Sequence, residues 1–391
     1  VDTITAVQES IRSPIPLFDL RLETEDIEAV TETLRSGWLT MGPRTEAFEQ
    51  AFADHLGSRH AVALSSGTAA LHLAYRAAGV GPGDEVIVPS FTFVATANGV
   101  LYCGGRPVFA DILGVENPSI DPADVERRIT PRTRAVAAVH FAGYPAAVDV
   151  LADLCRAHGL ALIEDAAHAP SGELAGRKLG TFGLAGAFSL FSNKVLSVGE
   201  GGVLATDDDQ VAAEVRRLRS HAMTSLTWDR HRGHADSYDV VDIGFNYRLD
   251  EPRAALAHSR MRRLASDIAR RRELTVVYRE RLAEVAEIIL PFTAEDVARS
   301  SCYVMPIMLR RPDQRPMLRQ ILRDEYQVQT SILYPAVHEF SAYRERFPEV
   351  SLPRTELAAR SEVTIPLYPH MTKAEQERVL DAILHSLQAR I

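Results

Sequence analysis

Between residues 60 and 200, short apolar runs recur, and helical patterns lie between several of them. No other feature constrains the fold as much. The runs are "AVALSSG" (61–67), "DEVIVPS" (84–90), "RPVFADI" (106–112), "RAVAAVHFAG" (134–143), "LALIEDA" (160–166) and "AGAFSLFS" (185–192). Amphipathic segments such as "AAVDVLADLCRAHG" separate several of them. A strand can reach a parallel neighbour only through a long crossover, so this alternation predicts an α/β unit with a mostly parallel sheet. Short runs near 200 and 240 are expected to add strands.

At 391 residues the chain exceeds what one core usually organises, which predicts two domains. Pro14 and Pro16 mark residues 1–20 as an extended arm. Residues 21–255 form the expected large domain and 256–391 a linker helix with a smaller α+β domain. "TEDIEAVTETLRSG" reads as a helix capped by Thr24, with Ile27, Val30 and Leu34 on one face. "EPRAALAHSRMRRLASDIARRRELTVVYRERLAEV" reads as one long arginine-rich helical stretch. "SSCYVMPIML" (300–309) and "YQVQTSILYP" (326–335) are expected strands. The chain ends in a helix with a Thr372–Glu375 capping box and a packing stripe of Val379, Leu380, Ile383, Leu384 and Leu387.

Composition removes whole classes of function. A net charge of -9 argues against nucleic acid or an anionic membrane as partner. No run reaches the ~18 apolar residues of a membrane span. Cys103, Cys155 and Cys302 are odd in number and widely spaced, which argues against disulfides and structural zinc. "VDTITAVQESIRSPIP" lacks the basic-then-apolar pattern of a secretion signal. A cytoplasmic protein is the expectation.

Four segments carry candidate chemistry. In "SSGTAALHLA" a strand breaks into a helix at Ser65-Ser66-Gly67-Thr68. A helix start offers open N–H groups and partial positive charge, so it holds phosphate. A plain capped turn has the same text. In "IEDAAHAPSG" Glu164 and Asp165 end an apolar run on opposite faces. An acid at a strand's carboxyl end can pair with a ligand cation, or simply cap the next helix. In "FSLFSNKVLSVGEGG" Lys194 sits between an apolar run and a glycine cluster, either as a loop lysine or as one held for imine chemistry. The segment 221–256 is long and rich in His and Arg; it reads as a solvated loop or a phosphate-binding one, and "HRGH" alone is a weak metal pattern.

In this order the segments, with "GWLTMGPRTEAFE", "DEVIVPSFTFVATANGV", "GRKLGTFGLAGAFSLFSNK", "GFNYRLDEPRAAL" and "IPLYPHMTKAEQ", resemble the DegT/DnrJ/EryC1/StrS sugar aminotransferases over nearly the whole chain. The resemblance implies an aspartate-aminotransferase-like α/β fold (fold type I) with a seven-stranded, mostly parallel sheet, and pyridoxal 5'-phosphate (PLP) as cofactor. It implies that Lys194 binds PLP covalently and shuttles the proton. Asp165 would pair with the ring nitrogen, and Phe93 would stack on the ring, with His168 beside it. Gly67, Thr68, Ala69 and Ser189 would hold the phosphate. Asn246 would come from the neighbouring subunit of a homodimer, and Arg248, Tyr334 and His338 would meet the substrate. The implied substrates are L-glutamate and a nucleotide-linked keto-deoxysugar, with dTDP as the family-based nucleotide. "FSNKVLSVGEGG" favours amination at C4. Amination at C3, or of a cyclitol ketone, is the alternative, and an inactive binding protein on the same fold is the rival of another class. A sugar 3-dehydratase would carry histidine in place of Lys194.

Overall fold

The computed structural model describes residues 14–225 and 237–390. Seven strands form the main sheet: β1 (His60–Leu64), β2 (Glu85–Pro89), β3 (Arg106–Ala110), β4 (Thr133–Val139), β5 (Ala161–Asp165), β6 (Ala185–Ser189) and β7 (Gly202–Thr206). Their order is β1-β7-β6-β5-β4-β2-β3. Pairings from β3 through β6 are parallel, and β7 alone runs antiparallel to both its neighbours, β6 and β1. The six apolar runs are thus all strands, and the run near 200 supplies β7. The run near 240 forms only an isolated bridge, Met223 to Val240.

The continuous apolar character of these strands has a direct cause. Ala63, Ile87, Val136 and Ala138 pack into one core, while Val62, Val86, Ala135 and Ala137 pack into another across the sheet. Both faces are covered, as a parallel sheet requires. The first four α-helices among the described residues are α1 (Thr24–Ser36), α2 (Pro43–Leu56), α3 (Gly67–Ala77) and α4 (Ala95–Tyr102). α2 seals the first core through Phe48 and Phe52; α3 and α4 seal the second through Leu71, Leu73 and Val100.

Past the sheet, the arginine-rich stretch is two helices, α5 (Glu251–Met261) and α6 (Leu264–Leu282), broken at Arg262–Arg263. There the main chain switches to i+3 bonds, Arg262 N–H to Ser259 and Arg263 N–H to Arg260. A three-stranded antiparallel sheet follows: β8 (Ile288–Ile289), β9 (Met305–Leu309) and β10 (Glu362–Ile365). Met305, Ile307 and Ile365 belong to the same continuous core as the first face of the main sheet. The last helix, α7 (Lys373–Arg390), begins with the expected Thr372–Glu375 box. Val379, Leu380 and Ile383 are fully buried and Leu387 nearly so.

Two expectations fail for identifiable reasons. "YQVQTSILYP" forms no strand; it makes bridges at Val328 to Ile15 and Ser331 to Thr364. The place beside β9 is taken by β10 instead. The α1 stripe is also inverted. Ile27 and Leu34 are each 55% exposed, whereas Asp26 and Thr33 are buried. Asp26 faces α5 and α6, where it accepts the Ser259 hydroxyl at 2.7 Å and pairs with Arg263 at 2.6 Å. Glu23, not Thr24, caps the helix, in a reciprocal box with Asp26.

Candidate active site

Strand register brings the candidate residues to one end of the sheet. Asp165 lies level with Val139 of β4 and Ala187 of β6; Ser189 lies level with Gly202 of β7, which lies level with Leu64 of β1. All of these except Gly202, which opens the antiparallel β7, are at or near carboxyl ends, where open α/β sheets bind ligands. A cavity of about 330 Å³ opens there, lined by Gly67, Thr68, Phe93, Asp165, His168, Ser189, Lys194 and Tyr334 among others.

The helix start after β1 is shaped as an anion cradle. Ser66 caps α3 by accepting the Ala69 N–H on its hydroxyl, and its carbonyl accepts the Ala70 N–H. The Gly67 and Thr68 N–H groups have no acceptor among the described residues. Close packing of this start demands glycine. A Cβ on Gly67 would stand 3.0 Å from Ser189 Cβ, and one on Gly202 would stand 2.3 Å from the Ser66 carbonyl carbon. Ala69 is buried just below and does not line the cavity.

Asp165 is the acid at the cavity's rear. Burial pushes its pKa up, opposed by the Thr96 hydroxyl, the Ala167 N–H and the charges of Lys194 and His140. Thr96 donates to Oδ2 at 2.7 Å, and Ala167 N–H donates to Oδ1 at 3.2 Å. Because Thr96 donates to Asp165, Thr92 must donate to Thr96 across their 2.8 Å contact. No basic nitrogen of the described residues lies within 4 Å of Asp165. A buried carboxylate held by hydrogen bonds and lacking a counter-ion is a receptor for a ligand cation. Glu164, on the other face, instead accepts from the Gly180 and Gly183 N–H groups and pairs with His140, so it is structural.

Lys194 stands opposite. Its half-buried side chain lines the cavity. Enclosure there pulls its pKa down to about 7, against the opposing charge of Asp165. The ring of Tyr303 lies 4.3 Å from Nζ. Burial also pulls the His168 pKa well below its usual value, so the ring is neutral. Its Nδ1 accepts the Ala142 N–H at 3.2 Å. Nε2 therefore carries the proton and donates to the Tyr334 hydroxyl at 2.9 Å. That fixes the Tyr334 oxygen as acceptor and leaves its O–H for a ligand. Phe93 is 55% exposed at the cavity mouth, its ring centroid 5.9 Å from that of Tyr334.

Three expected substrate or partner residues lie elsewhere. His338 is buried outside the cavity, with Nδ1 2.7 Å from the Ser90 hydroxyl and Nε2 3.5 Å from Glu356. Its imidazole does not line this cavity in its own chain. Asn246 bridges to Ser220 and Arg248 to Leu64, and neither lines the cavity of its own chain. The loop "TWDRHRGHADSY", with its "HRGH", lies almost wholly outside the described residues. Sequence reasoning passed over Tyr303 and Thr96. Tyr303 was hidden in a run read only as strand, whereas a threonine just after the β2 turn was a findable signal.

Comparison with known proteins agrees with this geometry. The model of the DegT/DnrJ/EryC1/StrS aminotransferase family matches residues 21–384. The chain is 38% identical over 365 residues to the spore coat polysaccharide biosynthesis protein SpsC of Bacillus subtilis, covering 92% of this chain and 93% of that one. DesV of S. venezuelae superposes with a TM-score of 0.88 at 37% identity, covering 96% and 99% of the two chains. NtdA of Bacillus subtilis, solved with bound cofactor PMP, superposes with a TM-score of 0.84 at 29% identity, covering 94% and 83%.

Proposed function

The chain belongs to the DegT/DnrJ/EryC1/StrS aminotransferase family, and from that premise we propose that it moves an amino group from L-glutamate to C4 of a nucleotide-linked 4-keto-6-deoxysugar, with dTDP as the nucleotide. It is a PLP-dependent sugar aminotransferase of fold type I. The observation that carries the reading is one cavity lined together by Lys194, the counter-ion-free Asp165 and the helix start at Gly67 and Thr68. PLP, when bound, supplies an electron sink and carries the amino group between donor and acceptor.

The residues fit that group. The open N–H groups of Gly67 and Thr68, with Ser189, suit its phosphate, the exposed face of Phe93 suits its ring, and Asp165 suits its ring nitrogen. Asp165 would keep a proton on that nitrogen, since a buried carboxylate stabilises the cation it faces. Lys194 Nζ would hold the group covalently and would serve as the base that takes the proton from the donor's α-carbon. The Tyr303 ring holds the ammonium in place when Nζ is charged. The O–H of Tyr334, aimed by His168, orients bound ligand. Around this site the chain divides into an arm to residue 20, a PLP-binding unit at 21–255 and a smaller unit from 256.

A homodimer completes the site. Asn246 and Arg248 reach the partner's cavity, so neither lines its own. Purified protein mixed with PLP should develop the visible band of the lysine-bound cofactor, which L-glutamate bleaches. Offering 3-keto and 4-keto nucleotide sugars then reads the position aminated. Absence of the band refutes the enzyme, and transfer to the 3-keto sugar or to a cyclitol ketone alone refutes C4. Co-expressed Lys194→Ala and Asn246→Ala chains should recover activity in mixed dimers; an active monomer refutes the shared site.

A further inference from the structure

A second cavity of about 220 Å³ shares Asn193 and Lys194 with the first. The chain entering α1, the α5–α6 break, the first turns of α6 and His370 form its walls. Arg21, Arg260, Arg263, Arg270 and Arg271 line it against only Asp19, Glu23 and Asp267. Three of these arginines are matched: Arg263 by Asp26 at 2.6 Å, Arg270 by Glu273 at 2.9 Å and Arg21 by Asp19 at 3.9 Å.

Arg260 and Arg271 are not. They are 6% and 4% exposed, and among the described residues neither has a carboxylate within 4 Å. Their bonds go to main-chain carbonyls, Arg260 to Ser197 and Arg271 to Tyr303 at 3.1 Å and Leu367 at 3.0 Å. Each keeps a buried Nε–H with no acceptor. Asp267 is the acid whose charge reaches both. Burial pulls Arg271 down to about 10, so it stays charged at neutral pH. Two buried cations facing neutral acceptors in one cavity leave an anion wanting.

We propose that this cavity is an oxyanion site that takes a carboxylate or phosphate group against Arg260 and Arg271. It is coupled to the lysine through the main chain. Arg260 holds the Ser197 carbonyl, just past Lys194, and Arg271 holds the carbonyl of Tyr303, whose ring faces Lys194. No arginine among the described residues lines the first cavity, although the donor carries two carboxylates. One of those carboxylates is the oxyanion the site suits best, and the sugar's diphosphate is the other source the reaction brings. The choice of source rests on the proposed function; the site itself does not.

The test uses the PLP-loaded enzyme, so that the phosphate cradle is already filled. Glutarate and inorganic diphosphate are titrated separately while the thermal midpoint is followed. Ser266 lines the cavity from the exposed side of α6, so Ser266→Glu delivers an internal carboxylate without disturbing the core. A saturable rise in Tm is expected for the wild type. In Ser266→Glu, Tm should be higher without added anion, and the half-saturating concentration should rise about tenfold. A rise with glutarate assigns the donor carboxylate, and a rise with diphosphate assigns the sugar. No saturable rise with either anion, or an identical titration in Ser266→Glu, overturns the site. A protein that binds PLP and transfers no amino group refutes the proposed function and leaves this result standing.

Discussion

Asp165→Asn separates cofactor binding from folding. Asparagine keeps the shape, and its one oxygen can still accept the Thr96 hydroxyl that stands 2.7 Å from Asp165. The charge is lost, and with it the acceptor for the Ala167 N–H. Removing one member of a buried charge pair costs about 3–5 kcal/mol. At about 1.4 kcal/mol per tenfold, PLP affinity should fall by at least about a hundredfold. Stability of the cofactor-free protein should move the other way. Burial raises the Asp165 pKa in the fold, so this group contributes stability below its unfolded pKa that is lost as pH rises through the folded value. Above that value the charged side chain strains the empty site, and Asp165→Asn relieves it. The assay is a PLP titration followed by absorbance, together with thermal melts of cofactor-free wild type and variant. A PLP affinity within about threefold of wild type, or a cofactor-free variant clearly less stable than wild type, would refute this account of the aspartate.

Lys194 should react with PLP faster as pH rises through about 7 and level off above it, because only unprotonated Nζ is nucleophilic; a midpoint near the ordinary lysine value, measured by stopped-flow absorbance, contradicts the enclosure described here. Glu251 accepts the Gly42, Arg44 and Thr45 N–H groups and the Thr45 hydroxyl at the start of α2. Glu251→Ala should cost about 3 kcal/mol in urea unfolding, since several buried donors lose their acceptor at once. His338→Gln should lower Tm through its Ser90 contact and leave the KM for the sugar unchanged; a raised KM would return that histidine to the substrate.

The sheet was legible in sequence because strands buried on both faces appear as uninterrupted apolar runs, and Asp165 and Lys194 were legible because both follow such runs. What failed has causes in particular residues. The α1 stripe was scored by hydropathy, yet Arg263 and Ser259 reward burial of Asp26 instead. β10 was missed because its residues follow the helix Pro353–Ser361 without an intervening turn, so no punctuation announces a strand. Nothing in the sequence ties His338 to Ser90, which lies 248 residues away. Long-range polar pairing is invisible to periodicity, and it decided α1.

The same pairing explains why the site takes a cofactor at all. Desolvation acts on Lys194 and Asp165 alike, pulling the lysine down and pushing the acid up, so each is driven towards neutrality. A direct ion pair would satisfy both and leave an inert core. Instead the two remain more than 4 Å apart, with the acid anchored to Thr96 and Ala167 and the lysine set against Tyr303. Neither is matched by the protein, and a ligand that brings a ring cation to one and a carbonyl to the other matches both at once. Strain relieved when such a ligand binds adds to its affinity. For that reason a variant that eases the empty pocket, as Asp165→Asn should, must weaken the loaded one.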